Sequence, residues 1–295
     1  MILKEYFVKA QDEKWAIGHF NFSNADQLKA IVEAAAELKS PVMVAVSESE
    51  EKFIGMEQAI ALVHSWQDLG YPVFLNADHH KTWESVSPCV EEGYDTVLID
   101  ASKLTFEENI ELTKRVVDYA RSMESDPPSP RLWRASMTVE GELGYLRGDS
   151  EVQKKVEITL DDYTNPRQAK EFVERTGVDR LAIAFGNIHG IVTDQKEQLN
   201  FEVLRDIVAA VPQTPLVLHG ASGLSDSDIK EAIQNGICNI HINTELRVAY
   251  HDALEKELAK SDESTTPHKF IQPAFDAMKA LVKKKLELFG SVNKI

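Results

Sequence analysis

The chain has 295 residues, enough for two ordinary domains or one large α/β barrel. Hydrophobic residues make up 43% and charged residues 27%, which allows a substantial core beneath a well-solvated surface. Forty-eight Asp and Glu stand against 32 Lys and Arg, a formal net charge of -16. That field repels nucleic-acid backbones and anionic membranes, and it leaves any anionic small molecule to be caught by local donors. The two cysteines, Cys89 and Cys238, make no disulfide framework and no CxxC pair, so a reduced, cytoplasmic setting is expected. The charged N-terminal stretch has no signal-peptide core, and no apolar run approaches the ~18–20 residues of a membrane span.

Along the chain, short apolar runs alternate with amphipathic ones. Trp15–Phe22 reads as the first strand and Asn24–Lys39 as a helix, with Ser23 or Asn24 as its cap. Pro41–Val46 is followed by Gly55–Leu69, which ends at Gly70. Pro72–Asp78 precedes Thr82–Glu92, where Pro88 is expected to break or kink the helix. Thr96–Asp100 leads to the helix Phe106–Met123, then an exposed connector, Glu124–Pro130. Arg134–Glu140 and the Pro166-initiated helix Asn165–Thr176 form the next pair. Arg180–Gly186 with Phe201–Val211, Pro215–Gly220 with Asp226–Asn235, and Cys238–Asn243 with Glu245–Ala259 complete the series. A second connector, Lys260–Pro267, precedes the final helix, Phe270–Leu288.

Several of the strand runs are almost continuously Val, Ile and Leu, as strands buried on both faces of a parallel sheet are. Eight β–α alternations in one chain predict a single-domain (β/α)8 TIM barrel over residues 1–295, with an added C-terminal helix. An open doubly wound sheet is the alternative, but Ile17–Asn24 lacks the glycine-rich fingerprint such folds carry.

Barrel active sites lie at the C-terminal strand ends. Here those ends carry Asp78-His79-His80, Glu140-Gly-Glu142, His189-Gly190, His219-Gly220-Ala221-Ser222 and Asn243-Thr244. A single loop histidine is ordinarily just bonded to a carbonyl. Three at separate strand ends, His79, His189 and His219, can meet around one zinc-like cation and leave a position open for substrate. His80 is the spare, or the replacement for one of them. Gly190 and Gly220 permit close backbone approach, and the amides near Gly220–Ser222 and Asn243–Thr244 suit a phosphate, although each could be only a turn or cap. Asp78 could be a cap or a partner of a ligand histidine. Beside a metal-polarised carbonyl it could equally move a proton and generate an enediolate.

These residues, with Gly18-His-Phe-Asn21, Leu98-Ile-Asp100-Ala-Ser102, Val139-Glu-Gly-Glu142-Leu-Gly144, Gly177-Val-Asp179, Leu216–Ser222 and Thr244-Glu-Leu246, resemble the class II fructose-bisphosphate and tagatose-bisphosphate aldolases from about residue 15 to 288. The resemblance implies a TIM-barrel lyase of carbohydrate metabolism such as glycolysis, one that reversibly cleaves a ketose phosphate to dihydroxyacetone phosphate and an aldehyde. It implies one zinc per subunit on His79, His189 and His219, with Asp78 as the acid–base residue. Asp100 and Glu142 match a second metal position. Gly190, Gly220, Ala221, Ser222, Asn243 and Thr244 match the dihydroxyacetone-phosphate site, and Asn21 and Ser47 match substrate-side positions. A monovalent cation (Na+ or K+) and a homodimer or homotetramer also follow from the family, as does a small sugar phosphate as the partner.

The sequence departs from the family where the rest of the sugar is read. His241 stands for an Asn, Asn76 for a His, and Ser47-Glu-Ser49 for Ser-x-Gly. The Arg that meets the far phosphate has no counterpart among His268, Lys269 and Gln272. Asp149 and Glu151 are candidates for a mobile-loop proton donor. Three other readings remain: a Schiff-base aldolase, for which Lys81 is the nearest lysine; a metal-dependent isomerase or epimerase using the same enediolate; and a non-catalytic metabolite-binding barrel.

Overall fold

The computed structural model describes residues 1–125, 137–260 and 265–295. Eight parallel strands close into a barrel: β1 (Ile17–Asn21), β2 (Val42–Ser47), β3 (Val73–His80), β4 (Thr96–Ile99), β5 (Thr138–Leu143), β7 (Arg180–Ile183), β9 (Leu216–Leu218) and β10 (Ile237–Ile242). They follow one another around the barrel in chain order, and β10 pairs with β1 through His241 and His19. This is the (β/α)8 barrel the alternation predicts. Two further strands, β6 (Gly148–Gln153) and β8 (His189–Val192), form a small separate sheet above it. No helix among the described residues is long and apolar enough to cross a membrane.

The helical layer also follows the sequence pattern. Asn24 caps α2 (Ala25–Glu37) by accepting from the Gln27 amide, and Asn165 caps α7 (Pro166–Thr176). The C-terminal helix α11 (Pro267–Leu288) packs on α2 and on α10 (Thr244–Leu258). Two helices were not anticipated. The first, α1 (Leu3–Glu13), lays Tyr6 and Phe7 against Trp15, Ile17, Met43, Phe74 and Cys238. The second, α3 (Glu48–Ile54), forms directly after β2 and precedes α4 (Met56–Gln67).

Two expectations need correction. The helix α5 (Trp83–Glu92) runs unbroken through Pro88, because its ends are strongly fixed: Thr82 caps it and Gly93 closes it in the left-handed region. The fifth strand lies further along the chain than Arg134–Glu140, so Glu140 is within β5 rather than beyond it. The helix Phe106–Ser125 runs two residues into the expected connector Glu124–Pro130, and residues 126–130, 134–136 and 261–264 of the expected connectors and fifth strand fall outside the described residues.

Asp95, at the entrance to β4, accepts hydrogen bonds from the Leu75 amide (2.7 Å) and the Gln67 side chain (2.9 Å). Burial pushes its carboxyl up to about 7, against these hydrogen bonds. A carboxyl raised on folding contributes stability that is complete below the ordinary aspartate value and is lost as pH rises toward 7. Asp95→Asn keeps an acceptor and removes the titration. Urea unfolding from pH 4 to pH 8 should show wild type losing stability relative to Asp95→Asn by an order of a few kcal/mol, with no further change above pH 8. A constant difference across that range would refute the assignment.

Candidate active site

The end of β3 is the centre of the site. In a regular strand neighbouring side chains point to opposite faces, so Asp78 and His79 could not both face the barrel mouth. The β3–β4 register shifts between Ala77 and His80, and His79 has φ 51°, the left-handed region that a β-carbon disfavours. This kink turns Asp78 and His79 into the same cavity and sends His80 elsewhere. His189, His219, His241, Asn21, Ser150, Gly190, Gly220, Ser222, Asn243 and Thr244 complete the cavity lining.

The three expected ligand histidines converge. His79 Nε2 and His219 Nδ1 are 3.0 Å apart, and the rings of His79 and His189 are 5.1 Å apart. The outer nitrogens are held by carboxylates. His79 Nδ1 lies 3.1 Å from Asp100 and 3.5 Å from Glu142, and His219 Nε2 is 2.7 Å from Glu140. A proton on each outer nitrogen leaves the inner ones as lone-pair donors, the arrangement seen when carboxylates orient metal-ligating imidazoles. Asp78, His79 and His219 bring ligand atoms within 4.8 Å of one another, as do His79, Asp100 and Glu142. Asp100 and Glu142 thus stand behind His79, where a second metal position would share it.

The electrostatics favour positive charge at this point. Burial alone would lower His79, but Asp78, Asp100 and Glu142 outweigh it and raise the imidazole to about 10. His189 goes the other way, down to about 3, through burial and the charges of His79 and His219. Burial would raise Asp78, yet the neighbouring histidines and the Asn21 hydrogen bond hold it well below the usual carboxylate range. Burial, then Asp100, pushes Glu142 well up. A site that gathers three carboxylates around inward-facing imidazole nitrogens fits a bound divalent cation on the donor chemistry alone.

The side of the cavity formed by Gly190, Gly220 and Thr244 is equally close-built. Gly220 has φ 66°, and a β-carbon there would meet the Ile188 carbonyl at 2.0 Å. At Gly190, φ 94°, it would meet the carbonyls of Asp149 and Glu151, both at 2.3 Å. Only glycine lets β8 and the β9 loop pass so near. Asn243 presents a buried, unpartnered Oδ1, and Thr244 begins α10. Ala221 is buried in the core, so only its backbone is available to a ligand. The β6 strand closes over this side through Ser150 and Thr244, whose hydroxyls are 3.3 Å apart, and through Arg247 and Glu151 at 3.2 Å. Neither Asp149 nor Glu151 lines the cavity.

Other expected residues lie as follows. His80 turns away from the cavity, and exposed Lys81 donates its amide to Glu48. No lysine is in the lining among the described residues. Ser47 is engaged with Glu50, which also accepts from Asn21. His268, Lys269 and Gln272 are exposed on the first turns of α11. His241 and Asn76 belong to one buried array that the sequence did not reveal. His241 stacks on His19 at 3.4 Å, Asn76 donates to His19 Nε2 at 3.0 Å, and Arg180 donates to Asn76 Oδ1 at 3.0 Å and to Glu140. The clue was the spacing: His19 and Asn21, and Glu140 and Glu142, sit two apart on strands and so share a face.

The fructose-bisphosphate aldolase class II family model matches residues 2–294. The chain belongs to that family. Among solved structures, this aldolase is similar to the YdjI aldolase of Escherichia coli K12, with 35% identity, 100% of this chain and 99% of that chain covered, and a TM-score of 0.82. It is also similar to a proposed fructose-1,6-biphosphate aldolase of Coccidioides immitis, with 25% identity, 99% and 97% coverage and a TM-score of 0.82. The fructose-bisphosphate aldolase of Campylobacter jejuni shares the fold at 20% identity, with 99% and 95% coverage and a TM-score of 0.78. The family is metal-dependent, and this aldolase is an enzyme of that type.

Arg180 and Glu140 are both fully buried. Removing the guanidinium leaves the carboxylate uncompensated in the barrel interior. Arg180→Ala should lower the unfolding free energy by about 3–5 kcal/mol. A loss below about 1 kcal/mol in denaturant titration would mean that Glu140 is neutral or otherwise satisfied.

Proposed function

We propose that this aldolase reversibly cleaves a ketose phosphate to dihydroxyacetone phosphate and an aldehyde, using one zinc per chain on His79, His189 and His219. The observation that carries this reading is the single cavity in which Asp78, the three inward-facing histidines and the Gly190, Gly220, Ser222, Asn243 and Thr244 group meet. The metal, when bound, supplies Lewis-acid polarisation of a carbonyl oxygen. Asp78, ionised and buried, accepts the proton from the substrate hydroxyl as the carbon–carbon bond breaks, and returns it in condensation. Asn21, donating to Asp78 Oδ2 at 2.9 Å, leaves Oδ1 free for that proton. Glu140 and Asp100 fix the tautomers of His219 and His79. The amides of the β9 loop and the start of α10 donate to the phosphate, with Asn243 and Ser222 beside it. They provide the local capture that a chain of net charge -16 requires. Beta6 shields that phosphate from water.

The second substrate is not assigned as glyceraldehyde 3-phosphate, since His241 replaces the family Asn and no arginine replaces the far-phosphate group. The family resemblance also supports a monovalent cation near the phosphate and a homodimer or homotetramer, and the two unpaired cysteines support a cytoplasmic setting. Among the described residues no lysine lines the cavity to offer a Schiff-base nucleophile.

A coupled assay for dihydroxyacetone phosphate across ketose mono- and bisphosphates, with and without chelator, tests the reading. Asp78→Ala should lower kcat by roughly 10²–10⁴-fold while metal content is unchanged. His189→Ala should purify with metal lost from this site. Full activity in Asp78→Ala would overturn the mechanism, and cleavage without a dihydroxyacetone phosphate product would overturn the substrate class.

A further inference from the structure

The kink that turns His79 into the cavity sends His80 into a second cluster on the flank of the barrel. His80 Nδ1 is 2.9 Å from the Ser85 carbonyl, which can only accept, so the proton is on Nδ1 and Nε2 carries a lone pair. That lone-pair nitrogen lies 3.9 Å from Cys89 Sγ and 4.0 Å from Glu51 Oε2. Cys89 Sγ and Glu51 Oε2 are 3.6 Å apart, and the three ligand atoms all lie within 4.8 Å of one another. The elements are independent: Glu51 comes from α3, His80 from β3 and Cys89 from α5. His80 and Cys89 are buried, while Glu51 keeps one edge toward solvent. The Tyr94 hydroxyl donates to the same Glu51 oxygen at 2.5 Å and fixes it.

Metal–ligand lengths of about 2.3 Å for sulfur and about 2.0–2.1 Å for nitrogen and oxygen put the ligand atoms of a tetrahedral zinc about 3.3–3.6 Å apart. The sulfur–carboxylate edge matches at 3.6 Å, and the two imidazole edges are longer at 3.9 and 4.0 Å, so the His80 ring moves inward on binding. Sulfur and imidazole donors select zinc-type ions over Mg2+ or Ca2+. A carboxylate and a thiolate together neutralise a dication, which removes the cost of burying it.

We propose that Glu51, His80 and Cys89 form a second divalent-cation site of zinc type, distinct from the catalytic cavity, with its fourth position open beside Glu51. Binding breaks the Cys89 S–H bond, forms a sulfur–metal bond and releases the proton to solvent, with no change of oxidation state. As an ordinary polar tether the cluster has one thiol proton to share between Glu51 Oε2 and the His80 Nε2 lone pair, 3.6 and 3.9 Å from Cys89 Sγ, whereas a cation would engage all three ligand atoms at once.

Full-length protein is stripped with chelator, and Zn2+ uptake is then measured per chain by mass spectrometry after dialysis. Wild type should bind two ions, Cys89→Ser and Glu51→Gln one each, and His189→Ala the flank ion. With Co2+, wild type and His189→Ala should show thiolate-to-cobalt charge-transfer absorption, and Cys89→Ser should not. Cys89→Ser should keep its cleavage activity, since the residue is outside the cavity. Uptake of one zinc by wild type, or a thiolate band that persists in Cys89→Ser, overturns the proposal. Circular dichroism verifies folding, and Glu51→Gln carries the stoichiometry test if Cys89→Ser does not fold. Failure of the aldolase reading would remove activity but leave the Cys89-dependent band intact, so the two outcomes are separable.

Discussion

The left-handed backbone at His79 is the constraint from which the chemistry of this barrel follows. A strand can give a cavity only every second side chain. Catalysis of the kind proposed needs a carboxylate and a metal ligand side by side. The bulge between Ala77 and His80 supplies both from consecutive residues, at a cost of about 1–3 kcal/mol for a non-glycine in this region. Three carboxylates facing His79 offset that cost once positive charge is present between them.

A second balance holds the barrel interior. The chain is strongly acidic, and several of its carboxylates are buried at the site. Glu140 is made tolerable by Arg180, which reaches the barrel axis from β7 and lies 5.4 Å from the Phe7 ring on α1. Phe7 on the N-terminal helix, Arg180, Glu140 and His219 thus form one line of contacts from the barrel floor to the cavity.

Much of this was legible in the sequence, and the limits are physical. Strands buried on both faces announced themselves as Val, Ile and Leu runs, and the Asn24 cap and the Pro166 helix start are local chemistry. Asp78, His79, His189 and His219 stood out because strand ends carry function in this fold. The interior array did not stand out, because its members are single polar residues inside apolar strands. Only the register that places His19 beside His241 and Glu140 beside Arg180 relates them. Pro88 misled for the opposite reason: a local rule was outweighed by good caps at both ends. The α1 helix was not anticipated, although Leu3, Tyr6, Phe7 and Ala10 carry the helical spacing of one buried face.

The departures from the family pattern form one connected change. Asn76 replaces a histidine, and its amide joins Arg180 on one side to His19 on the other. Because Arg180 must donate, Asn76 Oδ1 faces it and Nδ2 faces His19, whose Nε2 is therefore an acceptor. His19 then presents a flat ring on which His241 stacks at 6°. His241 directs Nε2 to Asn239 at 3.3 Å and leaves Nδ1 unpartnered, 3.6 Å from Asp78 Oδ1. His241, His19, Asn76 and Arg180 are thus one stacked and hydrogen-bonded unit in the barrel core, and a change at one member alters the partners available to the next.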